Sequence, residues 1–399
     1  MDKSAGALRS TAMVSLITAF CLLGDSMLYI VLPLYWRDFG LDSVWQAGAL
    51  LAANRLVRLP LNPLAVWLYA NIGQRTCMAL AVVTSMFTTA SYSLVSGFWP
   101  LLIARCFWGA AWSLLRLGSY FSVLQFSCAS DHGRHMGTYN GIFRLGSLFG
   151  MLGGAFIAEL SAPNAAGCIF AGFSLLSLPL VHKYVPAGVF KSGGQKTFGA
   201  LGALFDSKLT AALIATSFFT ALAYQGIFNS MLSFLTGRHE IRPDLLAEFG
   251  LGAASVAGFL QALRWTWEPY LAPKIGRFSD TGGKRRSLLQ KNCFLAAFLF
   301  LAISYKIDLW AWLLLVILLQ LTGTGVTTLS DALAADIAAD GKNAPAVLGA
   351  HSLAIDLGSA IGPIVGYSLN NYGGIHAPFF MAGACLLLVA PLWHRAAGA

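Results

Sequence analysis

Long apolar runs, separated by short polar connections, follow one another along almost the whole chain. A helix needs about 20 apolar residues to cross the hydrocarbon core of a bilayer, and most of these runs reach that length. The pattern therefore predicts twelve transmembrane helices, at 11–36, 44–70, 77–95, 99–127, 137–160, 165–182, 209–236, 246–272, 288–305, 309–337, 345–371 and 376–393.

The composition agrees with this pattern. Of the 399 residues, 57% are hydrophobic and only 11% are charged, whereas a soluble domain carries about 25% charged residues. We therefore predict an all-α polytopic membrane protein with no sizeable soluble domain. The first apolar run is too long for a signal peptide and lacks a small-x-small cleavage site, so we expect it to be retained as helix 1.

The longest polar connection divides the predicted helices into two groups of six. It covers 183–208 and contains Ser192-Gly193-Gly194-Gln195-Lys196, a composition typical of a solvated linker. We predict an N-terminal six-helix bundle at 1–182, a cytoplasmic linker at 183–208 and a C-terminal six-helix bundle at 209–399.

The net charge of +9 comes from basic residues that are concentrated in alternate connections. With the N-terminus inside, fifteen Lys and Arg residues fall in inside connections, and the outside connections hold four: Arg37, Arg238, Arg242 and Lys306. This bias follows the positive-inside rule and predicts a multi-pass protein of the cell (inner) membrane with both termini in the cytoplasm. The basic surplus thus orients the chain in the bilayer and does not indicate a nucleic-acid partner.

The chain carries no recognisable catalytic, disulfide or metal motif. Its seven cysteines lie inside or at the edges of apolar runs and form no C-x-x-C pair. There is no H-E-x-x-H and no G-x-S-x-G motif. We therefore expect neither an enzyme nor a bound metal or cofactor.

The connection between predicted helices 8 and 9 is short, basic and glycine-rich. It reads Gly276-Arg277-Phe278-Ser279-Asp280-Thr281-Gly282-Gly283-Lys284-Arg285-Arg286. Its form, G-x-x-x-D-x-x-G-[RK]-R, resembles the signature loop of the major facilitator superfamily, which lies on the cytoplasmic side between the second and third helices of each six-helix half. Thr281 stands where the family often has a basic residue. The resemblance implies the major facilitator fold, and it assigns a role in the conformational gate to Gly276, Asp280, Gly283, Lys284 and Arg285.

Two landmarks repeat at nearly the same spacing in the two halves. The loop after helix 2 is a decayed copy of the signature, and its Gly73 lies 210 residues before Gly283. In helix 11, the pattern Gly358-x-x-x-Gly362-Pro363-x-x-Gly366 lies 212 residues after Gly146-x-x-x-Gly150-Met151-x-x-Gly154 of helix 5. These spacings predict two pseudo-symmetric halves built by duplication.

The glycine pattern of helix 11 resembles the one that exporters of the superfamily carry in helix 5, where it is associated with antiporters. The resemblance implies that Gly362 and Pro363 belong to the conformational gate and that the chain belongs to the drug–proton antiporter-like, exporter branch. A simpler interpretation is that small residues let helix backbones approach closely.

Ionisable residues inside predicted helices are functional candidates, because a charge in hydrocarbon costs several kcal/mol. They lie in helices 1, 2, 4, 5, 8, 10 and 11, which the resemblance places around the central cavity. These residues are Asp25, Arg55, Arg58, Arg105, Arg116, Arg144, Arg264, Glu268, Asp331, Asp336 and Asp356. Among them, Asp331 and Asp336 lie near the cytoplasmic end of helix 10, where gate or surface contacts are the expectation. Two other polar residues of the predicted helices are not counted as candidates. Glu159 is expected to lie at the membrane interface, and His351 is expected to be a packing residue whose polar atoms are satisfied.

Three residues are predicted to couple transport to protons: Asp25, Arg105 and Asp356. Asp25 is about fourteen residues into helix 1, and a carboxylate so deep in the membrane is suited to take up and release a proton. Exporters of the drug–proton antiporter type often have an acid in helix 1. Arg105 and Gly109 resemble the R-x-x-x-G pattern of helix 4 that is tied to proton coupling, although Trp108 replaces the usual glutamine. The alternative for Asp25 is an ion pair with Arg58 or Arg116.

The first half holds five intramembrane arginines and a single central acid, which favours an anionic or zwitterionic substrate. Six residues are predicted to bind it: Arg55, Arg58, Arg116, Arg144, Arg264 and Glu268. Since Arg264 and Glu268 are four residues apart, an ion pair between them is as much expected as a role in substrate binding.

The function predicted from these features is proton-coupled export of a small organic anion or zwitterion, such as a carboxylate metabolite or a siderophore. Two alternatives stay open: a multidrug–proton antiporter for lipophilic compounds, and uptake by proton symport. The expected partners are the substrate, protons and the lipid bilayer, and a monomer is the expectation for the family.

Overall fold

The computed structural model describes residues 2–127, 132–163, 165–188, 207–238, 253–280, 285–340 and 344–397. Within these ranges all regular structure is helical and no strand occurs, which confirms the predicted fold class. The first six helices are α1 (Asp2–Leu34), α2 (Val44–Asn71), α3 (Gln74–Leu94), α4 (Phe98–Phe126), α5 (His132–Leu160) and α6 (Ala165–Tyr184).

A continuous helical run, α7, follows the linker over Lys208–Arg238. It consists of α-helical segments at Lys208–Thr220 and Asn229–Arg238 on either side of a π-helical segment at Ala221–Phe228. The remaining helices are α8 (Ala253–Asp280), α9 (Arg285–Ile303), α10 (Leu309–Asp340), α11 (Ala344–Gly373) and α12 (His376–Ala397).

Ten of the described helices are both long enough and apolar enough to cross a membrane. The other two, α2 and α8, have 28 residues each, or about 42 Å at 1.5 Å per residue, which is ample for a span. Their mean hydropathy is lowered by the intramembrane charges they carry, Arg55 and Arg58 in α2 and Arg264 and Glu268 in α8. The predicted count of twelve fits this set of helices.

The chain divides into two compact units. Unit 1 contains Met1–Gly193 together with Arg242–Ala262, and unit 2 contains Gly194–Ile241 together with Leu263–Ala399. The first part of α8 therefore belongs to unit 1 and the rest of α8 to unit 2. The predicted boundaries at 182 and 209 stay a prediction.

In unit 1, the glycines of α5 bring this helix into close contact with α1. A Cβ atom on Gly146 would lie 2.4 Å from the backbone oxygen of Ala19, and one on Gly150 would lie 2.5 Å from that of Leu23. Such distances are far shorter than a van der Waals contact, so only glycine fits. The close approach is the packing that small residues allow between membrane helices.

The corresponding glycines of unit 2 make the same kind of contact between α11 and α7. A Cβ atom on Gly358 would lie 2.2 Å from the backbone oxygen of Phe218. One on Gly362 would lie 2.3 Å from the Cα atom of Gly226, which is in the π-helical segment. Glycines that are 212 residues apart thus serve equivalent helix pairs in the two units.

The signature connection is shorter than predicted. Helix α8 continues to Asp280, so Gly276 and Asp280 lie in its last turns and not in a loop, while Arg285 begins α9. No proline interrupts 274–280, and Ser279 Oγ donates a hydrogen bond to the backbone oxygen of Gly276 at 2.6 Å, so nothing stops the helix earlier. Gly283 and Lys284 lie outside the described residues.

We expect Gly150→Val to disrupt the α1–α5 contact and to destabilise the protein by about 1–3 kcal/mol or more, because the new side chain meets the backbone of α1. Thermal unfolding of the detergent-purified protein measures the effect. Gly141→Val on the same helix is the matched control, since among the described residues no atom outside the neighbouring helix backbone lies within 4 Å of its Cβ position. Equal melting temperatures for the two variants would contradict the prediction.

Candidate functional site

A buried ion pair joins α1 to α4 in unit 1. The side chains of Arg105 and Asp25 are 1% and 10% exposed, and Arg105 Nη1 donates a hydrogen bond to Asp25 Oδ1. Asn54 Nδ2 of α2 donates to the same carboxylate oxygen at 3.1 Å. The structure therefore brings two of the three residues predicted for proton coupling into direct contact.

Two glycines let the helices come close enough for this contact. A Cβ atom on Gly109 of α4 would lie 2.5 Å from the backbone oxygen of Asn54 on α2. One on Gly24, next to Asp25, would lie 2.2 Å from Cγ2 of Thr89 on α3. The local sequence thus holds the carboxylate where three neighbouring helices converge.

Further contacts hold the guanidinium of Arg105 in place. Its Nε donates to the backbone oxygen of Leu50 at 2.9 Å, and its Nη1 also lies 3.4 Å from Tyr92 Oη. Its Nη2 is buried and has no hydrogen-bond partner among the described residues. Because a buried charge is tolerated only when it is compensated, the carboxylate of Asp25 is what keeps Arg105 in this position.

The alternative partners expected for Asp25, Arg58 and Arg116, were wrong. Asp25 lies nine residues before the end of α1 at Leu34, and Arg105 lies seven residues after the start of α4 at Phe98. Since α1 ends and α4 begins at the same end of unit 1, the two side chains meet at a similar depth. Arg116 is three turns deeper along α4, too far to reach this carboxylate.

The predicted substrate arginines of unit 1 are all engaged with neighbouring groups. Arg55 lies over the ring of Tyr29 at 5.6 Å, and Arg116 lies over the ring of Tyr120 at 5.7 Å, both within the range of cation–π interactions. Arg116 Nε also lies 3.4 Å from Tyr120 Oη. Further polar or electrostatic contacts are made by all four members of the set: Arg55, Arg58, Arg116 and Arg144.

In unit 2, Arg264 and Glu268 form the predicted ion pair along α8. Arg264 Nε lies 3.3 Å from Glu268 Oε2, and the two side chains are 12% and 15% exposed. Arg264 Nη2 also donates to Thr327 Oγ1 of α10 at 3.3 Å, and Trp267 Nε1 donates to Thr324 Oγ1 at the same distance. A small polar network therefore connects α8 with α10.

Asp356, the third residue predicted for proton coupling, lies on α11 of unit 2. It is partly buried and makes contacts with its surroundings, as does Arg144, its predicted equivalent on α5 of unit 1.

Two buried histidines make hydrogen bonds between helices: His351, expected from the sequence as a satisfied packing residue, and His135, which the sequence analysis did not single out. In unit 2, His351 Nδ1 of α11 lies 2.7 Å from Ser217 Oγ of α7, and its Nε2 lies 3.0 Å from Asp331 Oδ1 of α10. In unit 1, His135 Nδ1 of α5 lies 2.6 Å from Thr11 Oγ1 of α1. The signal was available, because His135 and His351 are 216 residues apart, close to the repeat length.

The arginine that begins α9 is bound to α10. Arg285 Nη1 donates to Asp336 Oδ2 and lies 3.3 Å from the backbone oxygen of Ala332. The two side chains are 22% and 50% exposed, so the pair is an interfacial contact and not part of a buried site. It fixes the start of α9 against the end of α10.

Glu159, near the end of α5, binds the beginning of α8 within unit 1. It accepts hydrogen bonds from the backbone nitrogens of Ala254 at 2.8 Å and Ser255 at 3.1 Å, and from Ser255 Oγ. The first N–H groups of a helix have no partner within the helix and attract a negative charge. The expectation that Glu159 is merely interfacial did not foresee this cap.

The sequence matches the family model of the Major Facilitator Superfamily over residues 14–270 and 243–397, which together cover nearly the whole chain. No curated protein matches the sequence significantly.

Several solved structures are similar in fold. The nucleoside transporter NupG has a TM-score of 0.77 at 14% identity, with 100% of each chain covered. A bacterial homologue of the human lysosomal transporter Spinster, inward-facing and unoccupied, has a TM-score of 0.76 at 13% identity, with 100% of this chain and 98% of that chain covered. A POT family transporter in complex with a thioalcohol-conjugated peptide has a TM-score of 0.76 at 13% identity, with 98% of this chain and 96% of that chain covered. At such identities the likeness shows the fold alone.

Removing either partner of the Asp25–Arg105 pair is expected to destabilise unit 1. Asp25→Asn and Arg105→Gln should each lower the free energy of unfolding by about 3–5 kcal/mol, because the remaining polar group is buried without compensation. The double variant Asp25→Leu/Arg105→Met should recover most of this loss. Denaturant titration of the purified protein measures these energies, with the exposed Asp38→Asn as control. A double variant that costs the sum of the single variants would contradict the pairing.

Proposed function

The chain belongs to the major facilitator superfamily, so it is a multi-pass membrane transporter and not an enzyme. From this premise we propose that it exports an anionic or zwitterionic organic molecule in exchange for protons. The proposed substrates are carboxylate metabolites or siderophores. The proposed setting is the inner membrane, with both termini in the cytoplasm and the protein acting as a monomer.

The observation that carries the proposal is the Asp25–Arg105 pair. Asp25 is an acid inside a membrane helix, and its described polar partners are Asn54 and Arg105. A proton on the carboxylate would remove the charge that compensates Arg105 and leave a buried guanidinium without a counterion. Uptake of the proton therefore favours a rearrangement of α1 against α4, and such a two-state element is what couples a proton to a conformational change.

The arginines of unit 1 supply the proposed substrate contacts. Their guanidinium groups are suited to bind a carboxylate through two parallel hydrogen bonds. Arg55, Arg116 and Arg144 are only partly buried, whereas Arg105 is almost completely enclosed. We assign the substrate carboxylate to these three arginines and to Arg58. In unit 2, Arg264 and Glu268 are the residues proposed for substrate binding. Asp356 is proposed as a second proton-binding acid.

The direction of coupling depends on where the substrate anion binds. If it binds the partly buried arginines and stabilises the state in which Asp25 is ionised and paired, substrate and proton exclude each other and the protein is an antiporter. If the anion instead replaces Asp25 on Arg105, it favours protonation of Asp25, and by linkage substrate and proton bind together as in a symporter. The buried, unpartnered Nη2 of Arg105 is why symport is kept as an alternative to the proposed antiport.

A multidrug–proton antiporter is the alternative that follows from the internal contacts of the arginines. Arg55 and Arg116 lie on tyrosine rings, and Arg264 is paired with Glu268. If these arginines serve only internal contacts, no anion site is left. A lipophilic cation would then compete with the proton for one of the proposed proton-binding acids, Asp25 or Asp356.

The conformational gate is proposed at two places: the ends of α8, α9 and α10, and the glycine contact of α11 with α7. Arg285 with its partner Asp336 forms one contact of this kind, and the other proposed members are Gly276, Asp280, Gly283, Lys284, Gly362 and Pro363. In unit 2, Gly362 lies against Gly226 of the π-helical segment, where a one-residue change of helical register is easiest.

Proton movement in everted membrane vesicles with an acidified lumen tests the proposal. Polycarboxylates or siderophores should release lumenal protons from vesicles containing the wild-type protein and the Asp38→Asn control, but not from those containing Asp25→Asn. Asp25→Glu should retain part of the release because it keeps a carboxyl group. Proton uptake together with the anion would indicate symport, and release by lipophilic cations alone would support the multidrug alternative.

Substrate binding by the arginines is tested separately. Arg116→Gln should raise the half-saturating substrate concentration about 10- to 100-fold, because it removes charge-assisted hydrogen bonds to the anion. Arg286→Gln is the control, since Arg286 lies over the ring of Trp393 at 5.7 Å, in contact with another helix of unit 2. Transport assays over a range of substrate concentrations provide the measurement. An unchanged half-saturating concentration for Arg116→Gln would remove Arg116 from the proposed site.

A further inference from the structure

A pocket of about 470 Å³ lies at one end of the helices of unit 2. It is lined by the end of α7, by the connection between α9 and α10, and by the start of α12. The lining residues with a polar side-chain atom are Arg238, Ser304, Tyr305, Lys306 and His376. By the predicted topology this end of unit 2 faces the outside of the cell.

The pocket has a positively charged rim over a buried floor. Arg238 and Lys306 are exposed, whereas Ser304 is only 7% exposed and the apolar residues Leu235 and Ile375 are 2% and 6% exposed. Among the residues that the structure describes, no carboxylate forms an ion pair with Arg238 or Lys306. Within the part of the chain that the structure describes, the site therefore offers a ligand two positive charges that are not paired with a carboxylate.

His376 is held in a fixed orientation beside these charges. Its Nδ1 lies 2.9 Å from Ser304 Oγ, and its ring packs against Tyr305 with 4.8 Å between the ring centroids. Its Nε2 has no described hydrogen-bond partner. The ring can thus present this nitrogen to a ligand as a third donor.

The placement of these charges is unusual for a membrane protein. Arg238 and Lys306 are two of the four Lys and Arg residues in predicted outside connections, where the positive-inside rule disfavours them. Two aromatic side chains next to Lys306, Tyr305 and Trp310, are 50% and 74% exposed, as is typical of residues at the level of lipid headgroups. The chemistry that fits an arginine fork, a lysine ammonium and an imidazole at this depth is a phosphate group.

We propose that this pocket binds a phosphate-bearing anion, and specifically the headgroup phosphate of an anionic phospholipid in the outer leaflet. The guanidinium of Arg238 and the ammonium of Lys306 bind the phosphate oxygens, with His376 as an additional donor. The acyl chains lie along the apolar surface of unit 2, and the exposed rings of Tyr305 and Trp310 mark the interface. The pocket uses no residue of the proposed transport site, so it stands or falls independently of the proposed transport function.

Titration of the purified full-length protein with short-chain phosphatidylglycerol tests the proposal. The lipid should raise the melting temperature of the wild-type protein in a saturable manner, and phosphatidylcholine of the same chain length should raise it less. Arg238→Gln/Lys306→Gln should increase the half-saturating lipid concentration at least about tenfold, because two charge-assisted hydrogen bonds are lost. Each variant is compared with its own lipid-free melting temperature, so a change in basal stability does not affect the result.

Two further variants sharpen the result. Arg37→Gln is the matched control, because Arg37 is another exposed basic residue of a predicted outside connection but lies over the ring of Trp36 in unit 1. It should bind the lipid like the wild type. His376→Phe keeps the aromatic packing and removes the donor, so it should weaken binding less than the double variant.

Inorganic phosphate distinguishes the two sources of the anion. If phosphate alone saturates the site and prevents the effect of phosphatidylglycerol, the phosphate site is confirmed and its assignment to a lipid is overturned. If phosphatidylglycerol and phosphatidylcholine act equally, or if the double variant binds like the wild type, the site itself is refuted.

Discussion

The buried contact between Arg105 and Asp25 is the interaction on which the interior of unit 1 depends. Neither side chain would be tolerated alone at this depth, because hydrocarbon does not solvate a charge. Together they join α1 to α4, and Asn54 adds α2 to the same carboxylate. The pair therefore stabilises the packing of these three helices against one another.

The same requirement organises the other polar groups inside the membrane helices. Arg264 is paired with Glu268 and bound to a threonine of α10, and both ring nitrogens of His351 have partners. Histidine–hydroxyl contacts between the first and fifth helices occur in each unit, at Thr11 and His135 and at Ser217 and His351. These buried polar groups thus form networks that connect helices, and removing one partner leaves the other buried without compensation.

Close helix packing makes these networks geometrically possible. Gly24 and Gly109 leave room for the helices around Asp25, while Gly150 and Gly362 do so between the first and fifth helices of the two units. Apolar burial does not drive association inside a bilayer, so contact between backbones and polar pairing take its place. Glycine at these positions is therefore a condition for the ion pairs as well as for the fold.

The sequence by itself determined the fold class, the helices and the duplicated organisation, because the length of an apolar run and the spacing of glycines are local properties of the chain. It also identified the charged candidates, since any ionisable residue in such a run stands out, and it placed the pairing of Arg264 with Glu268 within one helix. Only the tertiary structure decided that Asp25 pairs with Arg105, that Glu159 caps α8 and that α8 continues to Asp280. These contacts depend on the depth and rotation of helices that are distant in the chain, and side-chain packing across helices sets both.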